Sequence, residues 1–333
     1  MKIAINGFGR IGRNALKILM ARDGAEVVAI NDITDAKTLA HLLKYDTAYG
    51  AYEGEVSAKE NAIVVDGREI PVYAEKDPRN LPWRDLGVDT VIESTGFFTK
   101  PEDARAHLEA GAKRVIISAP AKGEGARTVV IGVNEETIEA SDEILSNASC
   151  TTNCIAPIMK ILADEFGVEK AMMTTVHSYT GSQRLLDAPA KDLREARSAA
   201  ENIVPTTTGA SKAAALTVPA LAGKFNGLSI RVPTPVVSLS DITAVLSRDT
   251  TKEELNEIFT KLANEPYYRG ILGVTNEELV SSDFIGDPRS CIIDLSLTDV
   301  VGGNMVKIVA WYDNEWGYSN RLVELAVDFG REG

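Results

Sequence analysis

The sequence contains few cysteines, few histidines and no long apolar run. Only three of its 333 residues are cysteine, and three are histidine. Cys150, Cys154 and Cys291 show neither the even number of a disulfide framework nor zinc-site spacing, so we predict a reducing compartment and no bound metal. No stretch approaches the roughly 18 apolar residues of a membrane span, and the opening MKIAINGFGR lacks the apolar centre of a signal peptide. We therefore expect a cytoplasmic protein with no membrane partner.

Positive charge is also scarce. The chain has 35 Lys and Arg against 48 Asp and Glu, for a formal net charge of −13. Nucleic acids and anionic membranes bind faces rich in Lys and Arg, so we expect no nucleic-acid partner. An anionic substrate would have to be captured by a few well-placed donors.

The first half of the chain alternates short apolar runs with amphipathic segments. The runs KIAIN, EVVAIND, DTVIEST and KRVIIS predict strands, and helices are expected over 11–21, 36–44 and 101–110. This alternation is typical of βαβ units, and it predicts a Rossmann-type, doubly wound parallel sheet with helices on both faces. Asp66-Gly67 between two apolar runs predicts a β-hairpin.

The pattern changes after Cys150. One helix is expected over 151–166, followed by longer alternating strands such as KAMMTTVHSY, VVSLSDITAVL and MVKIVAWYD. Long strands with short links predict a mostly antiparallel sheet. We therefore predict an α/β nucleotide-binding domain over 1–149 and an α+β catalytic domain over 150–315. A polar loop between Tyr179 and Ile203 is long enough to suggest a functional role.

Gly7, Gly9 and Gly12 form a GxGxxG pattern between the first strand and the first helix. Glycines at this spacing allow a tight turn and close approach of the backbone to a pyrophosphate at the helix N-terminus. Asp32 ends the next strand, where a carboxylate can accept hydrogen bonds from a ribose and repel a 2′-phosphate. The pattern predicts NAD as the cofactor.

Cys150 is the candidate nucleophile. It stands at a strand-to-helix junction in SNASCTTNC, where the positive end of a helix dipole is expected to lower the pKa of its thiol. Cys154, one turn further, is interpreted as a core residue. A cysteine taken alone is more often inert and buried, and a lone histidine is more often structural. His177 is nevertheless the acid/base candidate, because His41 and His107 fall in expected helices of the first domain.

Six strings along nearly the whole chain resemble the glyceraldehyde-3-phosphate dehydrogenase family. In chain order they are NGFGRIGR, SNASCTTNC, TTVHSYT, PTTTGASKA, RVPTPVVS and WYDNEWGYS. The resemblance implies a glycolytic, NAD-dependent oxidation of D-glyceraldehyde 3-phosphate, with inorganic phosphate, to 1,3-bisphosphoglycerate. It also implies a homotetramer in which the polar loop lines a neighbouring subunit's cofactor site. An erythrose-4-phosphate dehydrogenase and a non-catalytic nucleotide- or RNA-binding scaffold remain alternatives.

The resemblance also assigns individual residues. Cys150 would form a thiohemiacetal and then a thioester, with His177 as its partner in proton transfer. Substrate and attacking phosphate are expected at Ser149, Thr151, Thr180, Thr208, Gly209 and Arg231. The cofactor is expected at Gly7, Gly9, Arg10, Ile11, Gly12, Asp32, Thr95, Gly96, Ser118, Asn314 and Tyr318.

Some positions depart from the family pattern. Glu195 stands where certain members have arginine, and Ser182 where many have aspartate, which leaves their part in phosphate binding open. Ala188 is similar to NADP-using members and Pro189 to NAD-specific ones, so use of both cofactors also remains open. The final helix, 316–333, is expected to pack back on the first domain.

Overall fold

The computed structural model describes residues 1–328. Within it the chain divides into two compact units. The first comprises Met1–Val129, Glu136–Ala148 and the chain from Ser319, and the second comprises Val130–Glu135 and Ser149–Tyr318. The last helix ends its described part at Asp328, so the remainder of the predicted 316–333 helix lies outside the described residues.

The first unit contains a nine-stranded sheet that is parallel in its main part. Its strands follow the spatial order β10-β11-β9-β8-β1-β2-β7-β6-β5, and only β6 runs opposite to the others, so the antiparallel pairs are β5–β6 and β6–β7. The strands are β1 (Lys2–Asn6), β2 (Glu26–Asn31), β5 (Val56–Lys59), β6 (Ala62–Val65), β7 (Arg68–Tyr73), β8 (Thr90–Glu93), β9 (Arg114–Ile117), β10 (Arg127–Thr128) and β11 (Ile144–Ser146), and a separate ribbon pairs β3 (Tyr45–Asp46) with β4 (Gly50–Ala51). The predicted Rossmann-type sheet is confirmed.

The helices of this unit begin close to where the sequence predicts. They are α1 (Arg10–Met20), α2 (Ala36–Lys44), α3 (Trp83–Leu86), α4 (Pro101–Ala104) and α5 (Ala106–Glu109). The Asp35 side chain caps α2 by accepting from the Thr38 backbone N–H, which satisfies one of the donors left free at a helix start. The prediction of a single helix over 101–110 is wrong. The Arg105 carbonyl oxygen accepts from the Leu108 N–H, three residues on, as well as from the Glu109 N–H, four residues on, and the helix is interrupted at Arg105.

Hydrophobic burial explains why these segments become strands and helices. β8 and β9 are buried along their whole length, as parallel strands covered on both faces must be. Ala15, Leu16 and Leu19 form the buried side of α1. The predicted hairpin is confirmed: Asp66 (φ 50°) and Gly67 (φ 77°) join β6 to β7 in left-handed conformations that an Asp-Gly pair tolerates.

The second unit is built on a mostly antiparallel sheet, which confirms the predicted catalytic-domain architecture. Its order is β13-β14-β12-β15-β19-β17-β16, with β18 also pairing β19, and only β12–β14 and β16–β17 are parallel pairs. The strands are β12 (Val168–Ser178), β13 (Val204–Thr207), β14 (Phe225–Val232), β15 (Ser238–Leu246), β16 (Leu272–Thr275), β17 (Cys291–Asp294), β18 (Asp299–Val301) and β19 (Met305–Tyr312), and the remaining helices are α6 (Cys150–Phe166), α7 (Ala210–Thr217), α8 (Lys252–Ala263) and α9 (Trp316–Asp328). None of the helices within 1–328 is long and apolar enough to cross a membrane.

The strand order of the first sheet creates a crevice at one edge. The chain passes from β1 to β2 on one side and later returns to β8 on the other side of β1. The connections after β1 and β8 therefore diverge at the carboxyl ends of these strands, and such switch points bind ligands in doubly wound sheets.

The glycines after β1 provide a matched test of this turn. A Cβ on Gly12 would lie 2.2 Å from the Gly7 carbonyl oxygen, whereas a Cβ on Gly9 would meet nothing within 4 Å. We expect Gly12→Ala to destabilise the protein by about 1–3 kcal/mol, as overpacking usually does, and Gly9→Ala to leave stability near wild type. Thermal and urea unfolding of both variants would measure this. Equal stability of the two would contradict the packing of α1 on the turn.

Candidate active site

A cavity of about 620 Å³ lies at the switch point of the first unit. It is lined by the last residues of β1 and β2 and by residues of the segments that follow β1, β2, β7 and β8. Of the predicted cofactor residues, Gly7, Gly9, Asp32 and Thr95 line it. Its size is within the range of ligand-binding clefts.

The glycine-rich turn is held closely against the sheet. Gly7 has φ +91°, and its N–H donates to the Asn31 carbonyl oxygen at 2.8 Å. Asp32 then fixes the next residue, because its Oδ2 accepts from the Phe8 N–H at 2.8 Å while its Oδ1 accepts from the Thr34 N–H at 2.9 Å. Asp32 therefore shapes the turn as well as presenting a carboxylate to the cavity.

Several predicted cofactor residues stand apart from the cavity lining. Arg10 directs its guanidinium to Asp46 at 2.6 Å and lies 5.4 Å from the centre of the Tyr49 ring. Gly12 does not line the cavity, but it allows α1 to pack closely against the Gly7 carbonyl oxygen of the turn. Ile11, Gly96 and Ser118 occupy the helix start and the strand-end turns without forming the described wall.

Two asparagines that were not predicted from the sequence also line the cavity, Asn6 and Asn31. Both are buried, at 1% and 4% exposure, and each is the last residue of its strand. An amide at the end of an otherwise apolar buried strand was the available signal, because a buried polar group requires partners or a ligand.

In the second unit Cys150 is the first residue of α6. Ser149 precedes it in an extended conformation, and its Oγ accepts from the Thr152 N–H at 3.0 Å as a helix cap. The thiol thereby stands at the helix N-terminus, as predicted. Cys154 is fully buried one turn along, and all three cysteines are thiols in the described structure.

His177, near the end of β12, faces this thiol. Its Nε2 lies 3.4 Å from Cys150 Sγ. Its Nδ1 lies 2.7 Å from the Ser178 carbonyl oxygen and 2.5 Å from Arg231 Nη1. The carbonyl requires a proton on Nδ1 and the guanidinium requires a bare nitrogen, so both contacts cannot be hydrogen bonds together. The Nδ1–H form leaves Nε2 bare, which is the form able to take the Cys150 proton.

The ionisation of this pair differs from the sequence-based prediction. Burial raises the pKa of the Cys150 thiol, although Arg231 and Thr151 oppose it. Burial and the Arg231 charge lower the pKa of His177 to about 3. The predicted lowering of the thiol pKa by the helix dipole is therefore wrong, because desolvation of the thiolate is the larger effect. Between these two pKa values the pair holds a single proton, and its transfer from sulfur to nitrogen leaves the net charge unchanged.

Arg231 reaches His177 because the two are register partners on β14 and β12. Its Nε is buried and has no hydrogen-bond partner within the described residues. A buried guanidinium donor without an acceptor is costly, and an anion would satisfy it.

Tyr312 ties the two catalytic elements together. Its hydroxyl lies 2.9 Å from Thr151 Oγ1 in the first turn of α6 and 2.8 Å from Thr175 Oγ1 on β12. The ring also meets His177 edge-on, with centroids 6.1 Å apart. Tyr312, which the sequence did not single out, thus holds the helix start and the histidine strand in one arrangement.

Asn314 and Tyr318, predicted to contact the cofactor, are both buried in the second unit. Asn314 Oδ1 accepts from Ser178 Oγ at 2.9 Å and from Ser238 Oγ at 3.1 Å. These bonds fix the amide orientation and leave Nδ2 as the donor they do not use.

The other predicted phosphate ligands are arranged in two places. Thr180 Oγ1 lies 3.0 Å from Ser182 Oγ, at the start of the polar loop. Thr208 lines a depression of about 520 Å³ with Lys212, and Gly209 follows it at the start of α7. Glu195 accepts from Thr206 Oγ1 at 3.1 Å, so this glutamate stabilises the loop.

These features define a class. A nucleotide-type cavity at the switch point of one sheet, and a cysteine–histidine pair at a helix start in the other unit, are typical of dehydrogenases that act through a covalent cysteine intermediate. No group of three His, Cys, Asp or Glu within 1–328 is placed to hold a metal ion.

Comparison with known proteins gives the family. Residues 1–101 match the glyceraldehyde 3-phosphate dehydrogenase NAD binding domain, and residues 149–314 match the C-terminal domain of the same family. The chain is 57% identical to glyceraldehyde-3-phosphate dehydrogenase 1 of Bacillus cereus, 56% to the enzyme of Geobacillus stearothermophilus and 54% to that of Streptomyces coelicolor. Each match covers 100% of this chain and 99% of the relative. The chain belongs to the glyceraldehyde-3-phosphate dehydrogenase family.

The shared proton predicts how Cys150 reacts with iodoacetamide. Cys150 should be labelled before Cys154 and Cys291, because it is partly exposed while the other two are buried. In the wild type the labelling rate should change little from about pH 5 to about pH 7, since His177 takes the proton internally. In His177→Asn the proton must go to water, so the rate should rise roughly tenfold per pH unit.

Mass spectrometry of the labelled peptides and a pH series of both proteins measure these effects. A wild-type profile that rises as steeply as that of His177→Asn would show that His177 is not the proton acceptor.

Proposed function

We propose that this protein oxidises and phosphorylates D-glyceraldehyde 3-phosphate to 1,3-bisphosphoglycerate with NAD, through a covalent intermediate on Cys150. The observation that carries the proposal is the contact between Cys150 Sγ and His177 Nε2 at the start of α6, with the Arg231 guanidinium beside it. We assign nucleotide binding to residues 1–149 together with the last helix, and catalysis to residues 150–315.

The first half of the reaction forms the carbon–sulfur bond. His177 Nε2 accepts the Cys150 thiol proton, and the sulfur electron pair attacks the aldehyde carbon. The carbonyl oxygen takes the proton back and becomes the hydroxyl of a thiohemiacetal. His177 then removes that hydroxyl proton while hydride leaves the carbon, and the product is a thioester on Cys150. NAD supplies the hydride acceptor.

The second half breaks the same bond. An oxygen of inorganic phosphate attacks the thioester carbon, and the carbon–sulfur bond releases the Cys150 thiolate. The imidazolium of His177 returns its proton to the sulfur, and the phosphate proton leaves to solvent as the one proton released overall. His177 is thus a general base towards the thiol and the thiohemiacetal hydroxyl, and a general acid towards the carbonyl oxygen and the departing sulfur.

The protein has a net charge of −13, so its overall charge does not attract the two phosphate groups of the reaction. We therefore propose that a few local donors bind them. We assign the substrate phosphate to Arg231 and Thr180, and the attacking phosphate to Ser149, Thr151, Thr208 and Gly209. The partnerless Arg231 Nε supports the first assignment. Phosphate oxygens would also give the guanidinium acceptors in place of His177 Nδ1, which relieves the competition at that nitrogen.

The first unit fits the cofactor. Gly9 leaves open space beside the N-terminus of α1, and the Asp32 carboxylate lies on the cavity wall. Backbone N–H groups at a helix start suit a pyrophosphate, and a carboxylate suits ribose hydroxyls. We assign the remaining cofactor contacts to Arg10, Ile11, Gly12, Thr95, Gly96, Ser118, Asn314 and Tyr318. Use of NADP as a second cofactor stays open.

The assembly and location are part of the proposal. Three leucines of the polar loop, Leu185, Leu186 and Leu193, are 75–81% exposed in the single chain. Large apolar side chains so exposed support burial against another subunit, and hence a homotetramer. Three cysteine thiols support a reducing, cytoplasmic environment.

The direct test is NADH formation from glyceraldehyde 3-phosphate, NAD and phosphate, followed by the absorbance of the reduced nicotinamide. Activity should disappear in Cys150→Ser and fall by about 10²–10⁴-fold in His177→Asn, since general-base assistance is lost. Erythrose 4-phosphate and NADP are the comparison substrates. Full activity in Cys150→Ser would contradict the covalent mechanism.

Arg231→Ala tests substrate-phosphate binding. Catalytic efficiency with glyceraldehyde 3-phosphate should fall about 10- to 100-fold more than with unphosphorylated glyceraldehyde, because a hydrogen bond to a charged group contributes about 1.5–3 kcal/mol. Arg248→Ala is the matched control: this arginine pairs with Glu254 at 2.9 Å on the surface and should affect neither aldehyde. Equal losses on both aldehydes in Arg231→Ala would indicate a structural arginine.

A further inference from the structure

A network of buried, hydrogen-bonded side chains adjoins the residues that line the cavity of the first unit. Glu93 ends β8, His107 lies in α5 and Trp83 begins α3, and their exposures are 2%, 0% and 0%. The catalytic proposal uses none of them. Burying a carboxylate is unfavourable unless every acceptor position is occupied, so the partners of Glu93 reveal what it holds in place.

Glu93 accepts four hydrogen bonds. Oε1 accepts from the Thr95 N–H at 2.8 Å and from Thr95 Oγ1 at 2.5 Å. Oε2 accepts from Asn6 Nδ2 at 2.5 Å and lies 3.1 Å from His107 Nε2. Thr95 Oγ1 in turn accepts from the Phe97 N–H at 3.0 Å, so Glu93 organises the turn after β8.

The tautomer of His107 follows from its neighbours. Trp83 Nε1 lies 2.9 Å from His107 Nδ1, and an indole nitrogen can only donate. Nδ1 must therefore be the bare acceptor, and the ring proton sits on Nε2, from which it is donated to Glu93. The 3.3 Å approach of Asn6 Nδ2 to the same Nε2 brings two donors together and is not a hydrogen bond.

Hydrogen-bond partners also fix the orientation of two side-chain amides on the cavity wall. Because Asn6 Nδ2 donates to Glu93, Asn6 Oδ1 is the group that accepts from Asn31 Nδ2 at 2.6 Å. Asn31 Oδ1 then accepts from the Glu75 N–H at 2.9 Å. Asn6, Asn31, Glu75 and Thr95 all line the cavity.

We propose that Glu93 and His107 are positioning residues for the dinucleotide. They set the direction of the Asn6 and Asn31 amides and the shape of the Thr95 turn, and so present a prearranged polar wall to the cofactor. This inference rests on the proposed cofactor site. A site that needs no rearrangement binds more tightly, because the ordering of its side chains is complete before the ligand arrives.

Two substitutions at His107 separate positioning from simple support. Gln places its Nε2 near the His Nε2 and keeps a donor to Glu93, while it loses the partner of Trp83. Asn places its Oδ1 near Nδ1 and keeps the acceptor for Trp83, while it loses the donor to Glu93. His107→Asn loses a bond to a charged carboxylate and His107→Gln a bond between neutral groups, so His107→Asn should lose more thermal stability.

NAD affinity of the purified full-length protein, measured by quenching of intrinsic fluorescence, gives the decisive comparison. We expect His107→Asn to weaken NAD binding about tenfold, the equivalent of one hydrogen bond to a charged group, and His107→Gln to remain near wild type. The KM for NAD should follow the same order, while the KM for glyceraldehyde 3-phosphate and kcat stay unchanged. Equal weakening in both variants, or none in His107→Asn, would overturn the proposal.

Glu93→Gln covers the case in which His107→Asn does not fold. A glutamine keeps the acceptor for Thr95, but its amide nitrogen meets the donors of Asn6 and His107, and turning the Asn6 amide would misplace that of Asn31. NAD binding should weaken as in His107→Asn, and unchanged affinity in this variant also overturns the proposal. If the wild type itself fails to bind NAD, the cofactor assignment fails instead.

Discussion

The contact between the Cys150 thiol and the His177 imidazole is the interaction on which the second unit depends. Burial opposes a thiolate or an imidazolium formed alone, raising the pKa of one group and lowering that of the other to about 3. Proton transfer within the pair avoids that cost because no net charge is created. The surroundings maintain the short distance: Ser149 caps the helix that carries the thiol, and Tyr312 joins that helix to the histidine strand.

In the first unit, backbone N–H groups provide the donors for an anionic cofactor. A negatively charged cofactor must approach a protein of net charge −13, and the turn after β1 offers N–H groups at a helix start instead of cationic side chains. Arg10, at the start of α1, pairs with Asp46, and Arg13 donates to the Phe8 carbonyl oxygen at 2.9 Å. In our proposal the Asp32 carboxylate accepts hydrogen bonds from the ribose and so gives specificity for NAD. Two backbone N–H groups donate to this carboxylate and fix its position.

Local chemistry made much of this predictable. The Asp-Gly hairpin, the glycine turn and the cysteine at the start of α6 depend on residues adjacent in sequence, and each lies where the sequence predicted. The single helix over 101–110 failed at Arg105, where periodicity continues but the hydrogen-bond ladder changes register. The sequence did not predict the roles of Tyr312, Asn6 and Asn31, because their hydrogen-bond partners lie 25 to 161 residues away along the chain.

The sequence by itself determined the two-unit α/β architecture, the cysteine and histidine of the pair, and the family, because periodicity, turn residues and extended motifs are properties of neighbouring positions. Only the tertiary structure decided the 3.4 Å approach of Cys150 to His177, the placement of Arg231 beside it, and the donor directions around Glu93. It also reversed the expected direction of the thiol pKa. These quantities depend on long-range packing and on how completely water is excluded from each group, and neither is encoded within a single stretch of sequence.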